Sequence, residues 1–183
     1  MPFPKLPERT FCVIRHGQTT ANRDEIVAGA TDVPLSDLGR EQAARLAEME
    51  WSDDIALFVS SKTRAQDTCQ LGFPGRPFEI NPGLSERDWG EYEGRPISEL
   101  PSRETSPERG EAWHDMIRRV GKAVCECCEK AGDSLPVIVC HAGVIRAIYV
   151  LIGQNEKGRP AANATPIYIR WTGSAHEIAQ SRD

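Results

Sequence analysis

The chain has 183 residues, 39% of them hydrophobic and 27% charged, proportions typical of a globular protein with one domain's worth of core. Its 22 Lys and Arg against 27 Asp and Glu leave a net charge of −5, which excludes bulk attraction to nucleic acid or an anionic membrane and confines any functional cation to a local pocket. No apolar run approaches the roughly 20 residues that would cross a bilayer.

The N-terminal stretch Met1–Pro7 lacks the apolar segment of a signal peptide and reads as an extended lead-in. The six cysteines mostly fall inside apolar runs, as in a reduced compartment, so a cytoplasmic location is expected. The first extended run, Thr10–Arg15, is nearly all apolar, the pattern of a parallel strand buried on both faces, and it leads into His16-Gly17. Ser36 reads as the N-cap of a helix reaching about Glu50, with Ala43, Leu46 and Ala47 on one face. Ile55–Ser60 is a second buried strand. Thr63 is expected to cap a helix through Gln70, which Gly72 and Pro74 would stop.

A short strand, Pro77–Ile80, precedes the irregular stretch Gly83–Arg109, rich in Gly, Pro and charge. Long loops in compact domains are usually functional, so this one is expected to wall a pocket. From about Glu108 to Ala131 the apolar residues Trp113, Met116, Ile117, Val120, Val124, Cys127, Cys128 and Ala131 recur at helical spacing. Leu135–Cys140 is a third buried strand, ending at His141, and a helix follows to Ile152, closed by Gly153. Thr165–Trp171 and Ala175–Ala179 supply the last strands. Strands alternating with helices predict one α/β domain over residues 1–183, a three-layer α/β/α sandwich on a mostly parallel sheet.

Two histidines thus end two buried strands, where open α/β sheets bind ligands. Arg15 and Arg64 stay charged and offer forked donors suited to phosphate oxygens. A neutral histidine is a nucleophile, and a carboxyl group such as Glu86 can serve a departing alkoxide. Gly17 is expected to let the backbone approach a ligand, with a helix aiming amides at an anion just beyond it. No Asp cluster suited to Mg²⁺ and no convincing Zn²⁺ ligand set is present, so neither metal nor cofactor is expected.

The run Arg15-His16-Gly17-Gln18-Thr19-Thr20-Ala21-Asn22 resembles the signature of the histidine phosphatase superfamily, which has the phosphoglycerate mutase-like fold. Ala28-Gly29 with Asp32–Ser36, Ser60–Thr68 around Arg64, Leu84–Gly94 around Glu86 and Val139–Arg146 around His141 resemble the family's further segments, in the family's order. The resemblance implies that His16 attacks phosphorus and becomes phosphohistidine. It implies that Arg15, Arg64 and His141 hold the transferring oxygens and that Glu86 is the proton donor. Gly17, Thr19, Asn22, Ala28, Gly29, Arg87 and Ala142 are carried over as substrate-binding positions. Three positions depart from the pattern: Lys62 stands for proline, Cys140 for serine and Ala142 for glycine.

About 55 residues separate Glu86 from His141, short of the insertion the family's mutases carry. The resemblance is therefore to the short phosphatase branch that includes α-ribazole phosphatases, and it implies an acid-type histidine phosphatase acting on a small phosphorylated metabolite without metal. Its alternatives are a phosphoglycerate-type phosphomutase and a phospholigand-binding protein without turnover. Cys140-His-Ala-Gly143-Val-Ile-Arg146 also resembles the phosphate loop of cysteine-dependent phosphatases, but that reading leaves His16, Arg64 and Glu86 unexplained. Cys127 and Cys128 are expected to pack in the core, and His114 to be solvated.

Overall fold

A computed structural model describes residues 2–154 and 161–181. Six strands form one sheet: β1 (Phe11–Arg15), β2 (Ile55–Val59), β3 (Phe78–Ile80), β4 (Leu135–Cys140), β5 (Pro166–Trp171) and β6 (His176–Ala179). The helices are α1 (Thr20–Arg23), α2 (Asp37–Ala44), α3 (Thr63–Gly72), α4 (Trp113–Lys130) and α5 (Ala142–Leu151). The strand order is β3-β2-β4-β1-β5-β6. The β3–β2, β2–β4 and β4–β1 pairs are parallel, and β5 and β6 extend the sheet antiparallel.

The apolar strands are buried on both faces, which makes the fold three-layered. Phe11, Val13, Phe58, Ile138 and Cys140 pack into a core with α4 and α5. Their sequence neighbours Cys12, Ile14, Leu57, Val59, Val137 and Val139 point the other way, against Leu46 and the α3 residues Ala65 and Cys69. Burial of each large aliphatic side chain contributes about 1.5–3 kcal/mol relative to exposure, so continuous apolar strands are what this sandwich requires. Cys127 and Cys128 lie in the same core, where burial pushes both thiols up to about 12. Among the described residues no group of three or more His, Cys, Asp or Glu side chains is arranged to hold a metal.

Several element boundaries depart from sequence expectation, and α3 runs on through Gly72, past the expected end at Gln70. α2 ends at Ala44 and continues as a 3₁₀ turn, Arg45–Glu48, before Met49 turns extended. α4 begins at Trp113, not near Glu108, because the preceding residues are tied to the loop: the Glu111 amide donates to Asp88 O at 2.8 Å and the Glu91 amide to Glu108 O at 3.1 Å. α3 takes Lys62 as its N-cap, with Thr63 already inside the first turn.

Candidate active site

The parallel pairing of β1 with β4 sets Arg15 beside Cys140, so the two residues that follow, His16 and His141, emerge side by side. The His16 amide donates to Cys140 O at 3.0 Å, and Asn163 Nδ2 donates to His16 O at 2.7 Å. The rings lie 5.1 Å apart, centroid to centroid, and are inclined at 60°. β2 ends next to them, where the Ser60 amide bonds Val139 O at 3.1 Å. Three adjacent strand ends therefore converge on one point.

The His16 tautomer follows from its partner. Nδ1 lies 2.7 Å from Gly17 O, and a carbonyl only accepts, so Nδ1 carries the hydrogen and Nε2 keeps its lone pair. Burial, then the charges of Arg64 and Arg15, hold the ring pKa down to about 3, so it is neutral at pH 7. His141 is wholly buried, and burial followed by Arg64 pushes its pKa well below the usual value. Its Nε2 sits 2.7 Å from Ser60 Oγ, which itself accepts from the Lys62 amide at 3.3 Å. The buried Ser60 hydroxyl hydrogen needs an acceptor, and Nε2 is the one present. The His141 hydrogen then sits on Nδ1, a buried atom without a hydrogen-bond partner among the described residues.

Arg64, 1% exposed on α3, uses its terminal nitrogens on the neighbouring loop. Nη2 donates to Ala28 O at 3.2 Å and Gly29 O at 2.8 Å, and Nη1 to Thr31 O at 2.9 Å, with Asp32 Oδ1 at 3.5 Å. Its Nε–H has no acceptor among the described residues. Burial disfavours the Arg64 charge, and the carboxylates of Glu86, Asp32 and Glu93 offset part of that penalty. Arg15 donates from Nη1 to Ala161 O at 3.0 Å, and its Nε is buried without a partner among the described residues. Buried donors are normally paired, so Arg15 Nε and His141 Nδ1, both without a partner among the described residues, together with the charged Arg64 beside the neutral His16, make a setting suited to an anion.

Glu86 faces the N-terminus of α5. Its Oε2 accepts from the Gly143 amide at 2.9 Å and its Oε1 from the Arg87 amide at 2.8 Å. A cleft of about 190 Å³ opens there, lined by Arg15, Asn22, Glu86, Ala142, Gly143 and Arg146 at one end and walled by apolar residues such as Ile26 and Leu100. A larger hollow of about 690 Å³ lies at the β2–β3 edge, but it is the smaller one that Arg15 and Glu86 line, while His16, Arg64 and His141 are buried and not part of its lining. The loop 83–109 contributes Glu86, Trp89, Ile97, Leu100 and Arg103 to the cleft, in keeping with its expected place as pocket wall.

The other expected positions divide. Asn22, Ala28 and Ala142 line the cleft. Gly17 and Thr19 support it from behind: the Gly17 amide donates to Thr68 Oγ1 at 3.0 Å, and Thr19 caps α1 in a reciprocal capping box with Asn22. Gly17 is needed for packing, since a Cβ there would lie 2.3 Å from Gly39 O. Gly29 is enclosed between Arg64 and Glu93. Arg87 is 0% exposed and outside the cleft lining, with its guanidinium donating to Glu111 O, Arg103 O and Thr105 O at 2.9–3.0 Å. It braces the loop from inside, because three carbonyls satisfy a charge too costly to bury bare. Cys140 is fully buried, and burial pushes its thiol up, the opposite of what a thiolate nucleophile needs.

Ser60, Asn163 and Glu93 escape a reading from sequence, because each acts on groups distant in the chain. The residue pattern does show Ser60 at a strand end, and that is the one signal pointing to it.

A family model described as "Histidine phosphatase superfamily (branch 1)" matches residues 11–180. A glucosyl-3-phosphoglycerate phosphatase of Mycolicibacterium vanbaalenii is 35% identical over 162 residues, covering 76% of this chain and 72% of that protein. A probable phosphoglycerate mutase of Yersinia pestis is 30% identical over 146 residues, covering 70% of this chain and 67% of that one. The crystal structure of a putative α-ribazole-5′-P phosphatase from Escherichia coli superposes with a TM-score of 0.79 at 26% identity, covering 95% of this chain and 97% of the other.

Proposed function

The chain belongs to the histidine phosphatase superfamily, and on that premise we propose that it is a metal-independent phosphomonoesterase acting on a small phosphorylated metabolite through phosphohistidine. The observation that carries this reading is the His16 ring, fixed by Gly17 O with Nε2 bare, beside Arg15 Nε and His141 Nδ1, which have no partner among the described residues, and within the field of the Arg64 charge.

His16 Nε2 attacks phosphorus in line as the P–O bond to the leaving alcohol breaks. The Nε of Arg15, the Nε of Arg64 and Nδ1 of His141 donate to the phosphoryl oxygens as their charge redistributes. Glu86 gives its proton to the departing alkoxide. Water then takes the alcohol's place. Glu86 removes a proton from it, its oxygen bonds phosphorus, and the N–P bond breaks with the electron pair returning to Nε2. Inorganic phosphate leaves, and both groups regain their starting protonation. Loss of one oxyanion donor of this kind costs about 10²–10³ in rate.

Hydrolysis of p-nitrophenyl phosphate, unaffected by EDTA, is the expected result. A labelled phosphoenzyme trapped without acid should be stable to alkali, labile to acid and map to His16. Label on Cys140, or full turnover by His16→Ala, would sink the mechanism. Isomerised phosphoglycerate in place of inorganic phosphate would assign a mutase, and phosphate binding with no turnover across a substrate panel would assign a binding protein.

A further inference from the structure

The segment Ala28–Thr31 runs between an anion and two cations. On one side the Glu93 carboxylate accepts from the amides of Gly29, at 3.1 Å to each oxygen, Ala30 at 2.9 Å and Thr31 at 3.1 Å. It also takes the Trp89 amide at 3.0 Å. On the other side the carbonyls of Ala28, Gly29 and Thr31 accept from Arg64, and that of Ala30 from Lys62 Nζ.

Taken peptide by peptide, the arrangement is regular. The unit joining residues 28 and 29 has its N–H on Glu93 and its C=O on Arg64, and so does the unit joining 29 and 30. The unit joining 30 and 31 has its N–H on Glu93 and its C=O on Lys62. Three consecutive peptide dipoles lie aligned between opposite charges, so each hydrogen bond strengthens the one at the other end of its unit. The fit leaves no slack: a Cβ on Gly29 would fall 1.9 Å from Arg87 O and 2.7 Å from Glu93 Oε1.

We propose that Glu93 is a positioning residue for Arg64, holding its guanidinium at the phosphoryl site through the peptide groups of Ala28–Thr31. The carboxylate touches neither Arg64 nor the reacting atoms. It fixes the carbonyls that engage the Nη atoms, which leaves the Nε–H as the guanidinium donor for a phosphoryl oxygen. Lys62, where the family pattern has proline, adds a second cation to the same relay. The inference rests on the phosphatase reading, in which that Nε–H meets a phosphoryl oxygen.

The test is a double-mutant cycle on the full chain with Glu93→Gln and Arg64→Met. It is read by kcat/KM for p-nitrophenyl phosphate and by competitive inhibition by inorganic phosphate. Alone, E93Q is expected to lower kcat/KM and weaken phosphate inhibition about tenfold, the worth of roughly one charge-assisted hydrogen bond. In the R64M background it should change either by less than about twofold, since a relay with no guanidinium at its end has nothing to position. A merely structural role would cost the same in both backgrounds, and that additive outcome overturns the proposal. If E93Q does not fold, Glu93→Asp keeps the charge with a shorter reach, and its smaller loss must likewise vanish with R64M. A wild-type protein that neither turns over nor binds phosphate refutes the phosphatase reading itself, a result distinct from additivity.

Discussion

Glu86 and Gly143 are in direct contact: the Gly143 amide donates to Oε2 at 2.9 Å, and a Cβ on Gly143 would come within 2.0 Å of Oε1. The carboxylate therefore owes its place to a missing side chain on the first turn of α5. Gly143→Ala should displace Glu86 while leaving α5 formed, because alanine is the better helix residue. The expected result is a kcat for p-nitrophenyl phosphate reduced by about 10²-fold or more, the usual worth of a general acid. A steady-state comparison checks it, and an unchanged kcat would separate Glu86 from proton transfer.

Ser60 fixes the His141 tautomer, so Ser60→Ala should let the hydrogen redistribute to Nε2. Imidazole ¹⁵N shifts of His141 should move from the Nδ1–H pattern, and kcat should fall about tenfold with thermal stability nearly unchanged. Ser60→Thr, retaining the hydroxyl, is expected to restore both. Unaltered ¹⁵N shifts in Ser60→Ala would show that Ser60 is not what sets the tautomer.

His16 couples the site to acid stability. Its pKa lies near 3 in the folded chain, chiefly through burial, and near the ordinary 6.5 when unfolded. Between those values the unfolded state binds a proton that the native state refuses, so stability falls as pH drops below about 6.5. The slope contributed is up to about 1.4 kcal/mol per pH unit. Denaturant titrations of wild type and His16→Asn at pH 7.5, 6 and 5 should show the variant losing stability less steeply. Parallel pH curves would mean that His16 is not held neutral by the fold.

Arg87 braces two carbonyls of the loop and that of Glu111 just beyond it, so Arg87→Met should act on stability. Each orphaned buried carbonyl costs about 1–3 kcal/mol, enough to lower Tm measurably and raise proteolytic cutting between residues 99 and 110. Phosphate inhibition should change far less than in Arg64→Met. Equal loss of phosphate affinity in the two variants would return Arg87 to the pocket.

The sheet was largely legible in the sequence because apolar runs buried on both faces leave a plain signature, and β4 occupies Leu135–Cys140 as the pattern predicts. The chemical groups were legible as an ordered set of motifs. What the motifs could not show was the direction each side chain faces. Arg87, adjacent to Glu86 in the chain, turns into the loop interior, and Thr19 caps α1. Periodicity alone starts α4 too early because it cannot register the backbone bonds that hold Glu108 and Glu111 to the loop. Glu93 is invisible for a related reason: three of its four partners are backbone amides about 60 residues away, and amides have no identity in a sequence.

The pairing of β1 with β4 has a consequence for how such a protein can diversify. Neighbouring hydrogen-bonded strands lie about 4.8 Å apart whatever side chains they carry, so the separation of His16 from His141 is a lattice constant of the sheet. Insertions and substitutions in loop 83–109 can reshape the cleft without altering that gauge. New substrates can thus be accommodated at one end of the molecule while the reactive spacing is inherited unchanged from the backbone.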